Sequence, residues 1–117
     1  MKSVKINASL IGPDETTYFD CLGTLDNNVC TFISDDIETK ITIQGNQVTI
    51  NRRRHDYDLN LVLEENKDTN GSLVIEDKTA YLPIKTNKLN IEENFIEANY
   101  TIDGIGEFIY KIKFEVE

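Results

Sequence analysis

Ile37-Glu38-Thr39-Lys40-Ile41-Thr42-Ile43-Gln44-Gly45-Asn46-Gln47-Val48-Thr49-Ile50 is the stretch that decides the fold of this chain. Ile37, Thr39, Ile41 and Ile43 share one parity, and a strand sends alternate side chains to opposite faces. Gly45-Asn46 then reverses the chain, because Gly adopts the left-handed conformations that tight hairpin turns require. Val48 and Ile50 resume the alternation, so the fourteen residues read as a β-hairpin with one dry face.

The same pattern extends outward in both directions. Upstream, Val4, Ile6, Ala8 and Leu10 alternate with polar residues up to the turn at Gly12-Pro13-Asp14. A strand from about Thr16 to Gly23 follows, then a turn at Asp26-Asn27-Asn28, then a strand from Val29 to Ser34. Downstream, Tyr57, Leu59, Leu61 and Leu63 share a face, Asn66 to Gly71 reads as a polar loop, and Leu73-Val74-Ile75 as a short strand. Tyr81 to Thr86 is another strand, with Pro83 marking an edge, a bulge or a strand start. Asn87 to Glu97 fits either a helical turn or two strands meeting near Glu93-Asn94; the alternation of Leu89 and Ile91 favours the strands. Ile96, Ala98, Tyr100 and Ile102 form one further face, and Phe108, Tyr110, Ile112, Phe114 and Val116 another.

These segments amount to nine or ten short strands in a single domain over residues 1–117. Most of the strands are apolar on one side only, which suits an antiparallel sheet with one wet face. The last strand is long and strongly apolar on its inner side, and as a bare edge it would invite aggregation. The expected architecture is therefore all-β: an antiparallel up-and-down closed β-barrel of eight to ten strands, sealed by pairing the last strand with the first.

Several motifs carry a family likeness. Phe19-Asp20-Cys21-Leu22-Gly23, Val48-Thr49-Ile50-Asn51-Arg52, Leu82-x-Ile84-x-Thr86-x-x-Leu89, Ile96 to Ile102 with Tyr100 near its end, and Phe108 to Val116 occur in this order. Together they resemble the YwiB-like family, bacterial proteins of unknown function with a calycin-like, lipocalin-type β-barrel. Arg54 stands where the family often has Gly. The resemblance implies a fold and no activity.

Composition narrows the function classes. Acidic residues outnumber basic ones 21 to 12, for a net charge of −9. Phosphate backbones and anionic lipid surfaces call for clustered cations, so neither nucleic acid nor membrane is an expected partner. No apolar run approaches the roughly 18 residues of a spanning helix or forms a signal-peptide core. The expected location is the cytoplasm, with Cys21 and Cys30 as free, partly buried thiols. His55 is the sole histidine and falls in a turn, where it reads as exposed. Asp68-Thr69-Asn70-Gly71 begins like a calcium loop, but Thr79 occupies the twelfth position, so an Asn-Gly turn is the expectation. No metal, cofactor or catalytic residue is assigned, and catalysis is the least favoured role.

All of the chain's arginines sit together, as Arg52-Arg53-Arg54. Continuing the parity of Val48 and Ile50 turns Arg52 and Arg54 inward. An inward guanidinium needs a partner, either a barrel carboxylate or an anionic ligand. Alternatively the strand ends at Asn51 and the arginines bond Asp56 and Asp58 in a solvated loop. Tyr57, Tyr81, Tyr100 and Tyr110, with Phe108 and Phe114, are candidates to line the interior, as a filled core or as the wall of a ligand cup. The candidate ligand-binding set is Arg52, Arg54, Tyr57, Tyr81, Tyr100 and Tyr110, for a small amphipathic or anionic molecule. The alternative is a non-catalytic interaction module, such as a homodimer formed through an outer sheet face or edge.

Overall fold

The computed structural model describes residues 1–117. Ten strands follow one another: β1 (Lys2–Ile11), β2 (Thr16–Asp26), β3 (Val29–Ser34), β4 (Ile37–Gln44), β5 (Gln47–Arg54), β6 (Tyr57–Glu64), β7 (Asp68–Ile75), β8 (Lys78–Ile91), β9 (Phe95–Ile102) and β10 (Gly106–Val116). Each pairs antiparallel with its neighbours in sequence, and β10 returns to β1 with Val4 opposite Val116 and Ile11 opposite Ile109. The result is the closed up-and-down barrel that the alternation required.

The turns follow from backbone chemistry. Asp35 and Asp36 both have positive φ, 53° and 64°, which a two-residue hairpin turn of the mirror-image kind demands and which Asp tolerates. Gly45 holds φ of 61° between β4 and β5, and Asn27 holds 54° between β2 and β3. Because consecutive turns lie at opposite ends, one end carries the turns after β2, β4, β6 and β8. The other carries the loops after β1, β3, β5, β7 and β9.

The first end is solid. Val4, Ile6, Ile41, Val48, Ile50, Leu63, Ile96 and Ile112 are all essentially inaccessible and fill the lower barrel. Each such side chain contributes about 1.5–3 kcal/mol through burial, so this layer carries much of the fold's stability.

Two segments differ from the sequence reading. Residues 66–71 are not one loop. The turn is confined to Glu65-Asn66-Lys67, where Asn66 takes φ of 61° and the Lys67 N–H donates to the Glu64 carbonyl at 3.1 Å. Strand β7 already starts at Asp68, and Gly71 pairs with Leu82 inside it. A Cβ on Gly71 would lie 2.6 Å from the Asn60 carbonyl oxygen and 2.9 Å from Ile84, so this glycine serves close packing and not a turn.

The segments Tyr81–Thr86 and Leu89–Ile91 are one strand, β8, with a bulge between Thr86 and Lys88. The extra residue inverts the facing: Ile84 and Thr86 point inward before it, while Leu89 and Ile91 are the partly buried residues packed on the core after it. Pro83 is tolerated within β8 because its carbonyl, on the same side as its missing N–H, faces Asp103 just past the end of β9. There it accepts the Asp103 N–H at 3.0 Å. Strands β8 and β9 meet at residues 92–94 without a helical turn.

Candidate functional site

The loop-bearing end is open. β5 runs to Arg54, beyond the Asn51 stop, so the parity of Val48 and Ile50 continues and Arg52 faces the interior. It lies between Thr39 of β4 and Leu59 of β6 in the register. Its guanidinium carbon sits 5.7 Å from the centre of the Phe19 ring, within cation–π range. No carboxylate lies within 4.0 Å of it, and its Nε is buried without a hydrogen-bond partner.

The other two arginines behave as the solvated alternative described. Arg53 Nε reaches Asp58 at 3.6 Å, and Arg54 Nε reaches Asp56 at 3.3 Å, both at the surface. Arg54 has the inward parity, but it lies past the rim, where inward no longer means enclosed. Of the two readings left open for Arg54, the solvated ion pair therefore holds, and Arg54 is not an interior ligand contact.

Arg52 forms part of the wall shared by two contiguous chambers. The inner chamber has a volume of about 330 Å³, and twelve of its thirteen lining residues are hydrophobic; Arg52 is the exception. Tyr57, Tyr100 and Tyr110 line it, together with leucines from β1, β6, β7 and β8. The outer chamber, about 440 Å³, opens beneath the β1–β2 and β3–β4 loops and carries Asp14, Glu15 and Asp35. Leu10, Ile105 and Phe108 join Arg52 at the boundary.

The tyrosines divide. Tyr110 is 1% exposed, and its hydroxyl is buried without a partner. Tyr100 is buried and stacks on Phe108, with ring centres 5.5 Å apart and planes at 16°. Burial holds both phenols protonated: Tyr110 is pushed up to about 12, and Tyr100 is raised further. The Arg52 charge acts on both in the opposite direction, so the guanidinium and the two phenols share one electrostatic environment. Tyr57 lines the chamber at its half-exposed edge.

Tyr81 does not join them. It is 77% exposed on the outer face of β8, because Leu82 and Ile84 take the inward parity. Phe114 is buried in the barrel and lines neither chamber.

The rim is built by loop against loop. Gly106, with φ of 141°, lies so close to Pro13 that a Cβ would collide with the proline ring. The β1–β2 and β9–β10 loops are thereby pressed together, and Ile105, half-exposed, reaches over both chambers. His55 is exposed in the β5–β6 turn. Both cysteines are free; Cys30 is buried and its thiol is pushed up to about 12, mainly by desolvation.

No family model and no curated protein matches this sequence. Among solved structures, the crystal structure of YwiB protein from Bacillus subtilis superimposes on it with a TM-score of 0.71. The match covers 98% of this chain and 90% of that one, at 13% sequence identity. The chain has a YwiB-like fold. At that identity the likeness shows the barrel alone, and the chemistry of the site rests on its own residues.

Of the residues that the sequence reading named, Arg52, Tyr57, Tyr100 and Tyr110 line the inner chamber. That reading missed the rim carboxylates Asp14, Glu15 and Asp35, which read as ordinary turn residues. It also missed Ile105, whose only signal was an apolar side chain in a turn beginning at Asp103-Gly104.

Proposed function

We propose that this YwiB-like barrel binds a small amphipathic anion in its open end, with the apolar part in the inner chamber and the charge against Arg52. One observation carries the reading: the wall of an otherwise apolar chamber holds a guanidinium with no carboxylate partner. A partly desolvated cation is costly unless paired, and an anionic ligand is the pairing that the geometry leaves open. Tyr110 supports it, since this residue lines the same chamber and its buried hydroxyl has no partner, leaving a donor that an anion could take up. The chamber lies at the small end of the size range of ligand pockets.

The test uses 8-anilinonaphthalene-1-sulfonate, an aromatic monoanion whose fluorescence rises in apolar surroundings. Titration is expected to show one saturable site on the wild type, lost in Arg52→Met and in the chamber-filling Leu61→Trp. Saturable binding unchanged in both variants would remove the proposal.

A second reading is self-association through the outer face, favoured by Tyr18, Leu22 and Ile33. These are 78%, 65% and 62% exposed, on β2 and β3. Tyr18 and Leu22 lie on the stretch of β2 from Thr16 to Leu22 that has no partner on β3, and Ile33 lies near the end of β3. Such exposed apolar groups beside an open strand edge suit pairing with a second copy. Sedimentation velocity at high micromolar concentration distinguishes it, and a monomer there rules the homodimer out.

A further inference from the structure

The charges around the two chambers restrict the ligand more than the proposed function requires. Arg52 is the only cationic residue lining either chamber, whereas Asp14, Glu15 and Asp35 line the outer one. We infer that the ligand is a monocarboxylate with a short apolar body, and that the acidic rim rejects ligands bearing a second negative charge. This rests on the reading that the open end of the barrel binds an amphipathic anion.

One guanidinium can neutralise one negative charge. The second charge of a dianion would find no cation in the inner chamber and three carboxylates in the outer one. At separations within a chamber of this size, and with partial screening near a surface, that repulsion is worth at least about tenfold in affinity. A single carboxylate avoids it by accepting from Arg52 and from the Tyr110 hydroxyl. Charge-assisted bonds to two donors fix its orientation.

The size follows from the inner chamber. Its volume of about 330 Å³ lies at the small end of the range for ligand pockets and suits a short apolar body, not a long chain. Such a body fills the apolar space up to Arg52. A much longer chain would have to emerge past Ile105 into the acidic outer chamber.

The experiment is competition against the bound naphthalene sulfonate at pH 8, with decanoate, decyl phosphate and decylamine. At that pH the phosphate monoester is a dianion. Decanoate is expected to displace the probe, decyl phosphate to compete at least tenfold more weakly, and decylamine not to compete. A rim variant, Asp14→Asn/Glu15→Gln/Asp35→Asn, is expected to bring decyl phosphate within about threefold of decanoate. The three positions are exposed, and Asn tolerates the left-handed backbone of Asp35, so the fold is retained.

Decyl phosphate binding as well as decanoate, or a gap unchanged in the rim variant, would overturn the charge selectivity and leave the proposed function standing. No competition from either anion, or competition from decylamine alone, would remove both.

Discussion

Replacing Arg52 with methionine separates a structural arginine from a ligand-binding one. The buried Nε of Arg52 has no partner, and an unsatisfied buried polar group costs about 1–3 kcal/mol. The side chain as a whole is only partly buried, so the lower part of that range applies. Against this stands the contact with Phe19 at 5.7 Å, worth about 0.5–1 kcal/mol for a cation over an aromatic face. Methionine keeps the apolar stem and its packing. The ligand-free variant is therefore expected to be slightly more stable than the wild type, by up to about 0.5 kcal/mol, or up to about 3 °C in Tm for a domain of this size. With decanoate at about one hundred times its Kd the order reverses, because the wild type gains about 2.7 kcal/mol by mass action and the variant gains little. Urea titration followed by circular dichroism, with and without decanoate, reads both quantities. A ligand-free Arg52→Met that is less stable than wild type by 1 kcal/mol or more would refute the reasoning, since Arg52 would then be holding the barrel together.

Other perturbations test the packing and the titrating groups. Gly71→Ala places a Cβ 2.6 Å from the Asn60 carbonyl and is expected to destabilise by about 1–3 kcal/mol in urea titration, as overpacking does. Tyr110→Phe removes an unpartnered hydroxyl, so its ligand-free stability is expected to stay within about 0.5 kcal/mol of wild type or rise, while decanoate affinity falls severalfold. The Tyr110 phenol is raised from 10 to about 12 in the fold. The folded state therefore retains a proton that the unfolded chain releases above pH 10, and stability is lost as pH rises from there through about 12, by up to about 2–3 kcal/mol. Alkaline unfolding monitored by circular dichroism is expected to be shallower in Tyr110→Phe than in wild type. Cys30 is 1% exposed with a raised thiol pKa, so iodoacetamide at pH 8 is expected to modify it only in urea, as peptide mass spectrometry would show.

The barrel was legible because its signal is local and repeated. Ile41 and Ile50, which face each other across β4 and β5, carry the same parity rule as Ile6 and Ile112, which come from opposite ends of the chain. Closure followed from the cost of leaving β10 as an open edge. The errors fell where one residue breaks the count. The bulge between Thr86 and Lys88 made one strand look like two, although the change of apolar parity from Leu82 and Ile84 to Leu89 and Ile91 recorded it. That parity also placed Tyr81 outside, since a residue beside Leu82 cannot share its face. Gly71 looked like a turn because its need for space beside the Asn60 carbonyl is set by β6 and β8, not by its neighbours in sequence.

The site was half legible for a different reason. That Arg52 faces inward is a property of β5 alone, readable by counting from Val48. That it lacks a carboxylate depends on every strand and loop that reaches the open end, and no stretch of sequence states it. The three rim acids belong to the β1–β2 and β3–β4 loops, far apart in the chain, yet an up-and-down barrel must place these loops at the same end. Asp56 and Asp58 stand closer to the arginines in sequence, and they are spent on Arg53 and Arg54 at the surface. The acids nearest in sequence thus pair with the two outer arginines, and the barrel leaves Arg52 as the lone cation of an apolar chamber whose entrance is acidic. With the positive charge at the chamber boundary and the negative charges at the entrance, a bound ligand would keep a single anionic group at Arg52 and its apolar body deeper in, which is why the proposed specificity concerns the number of charges as much as their sign.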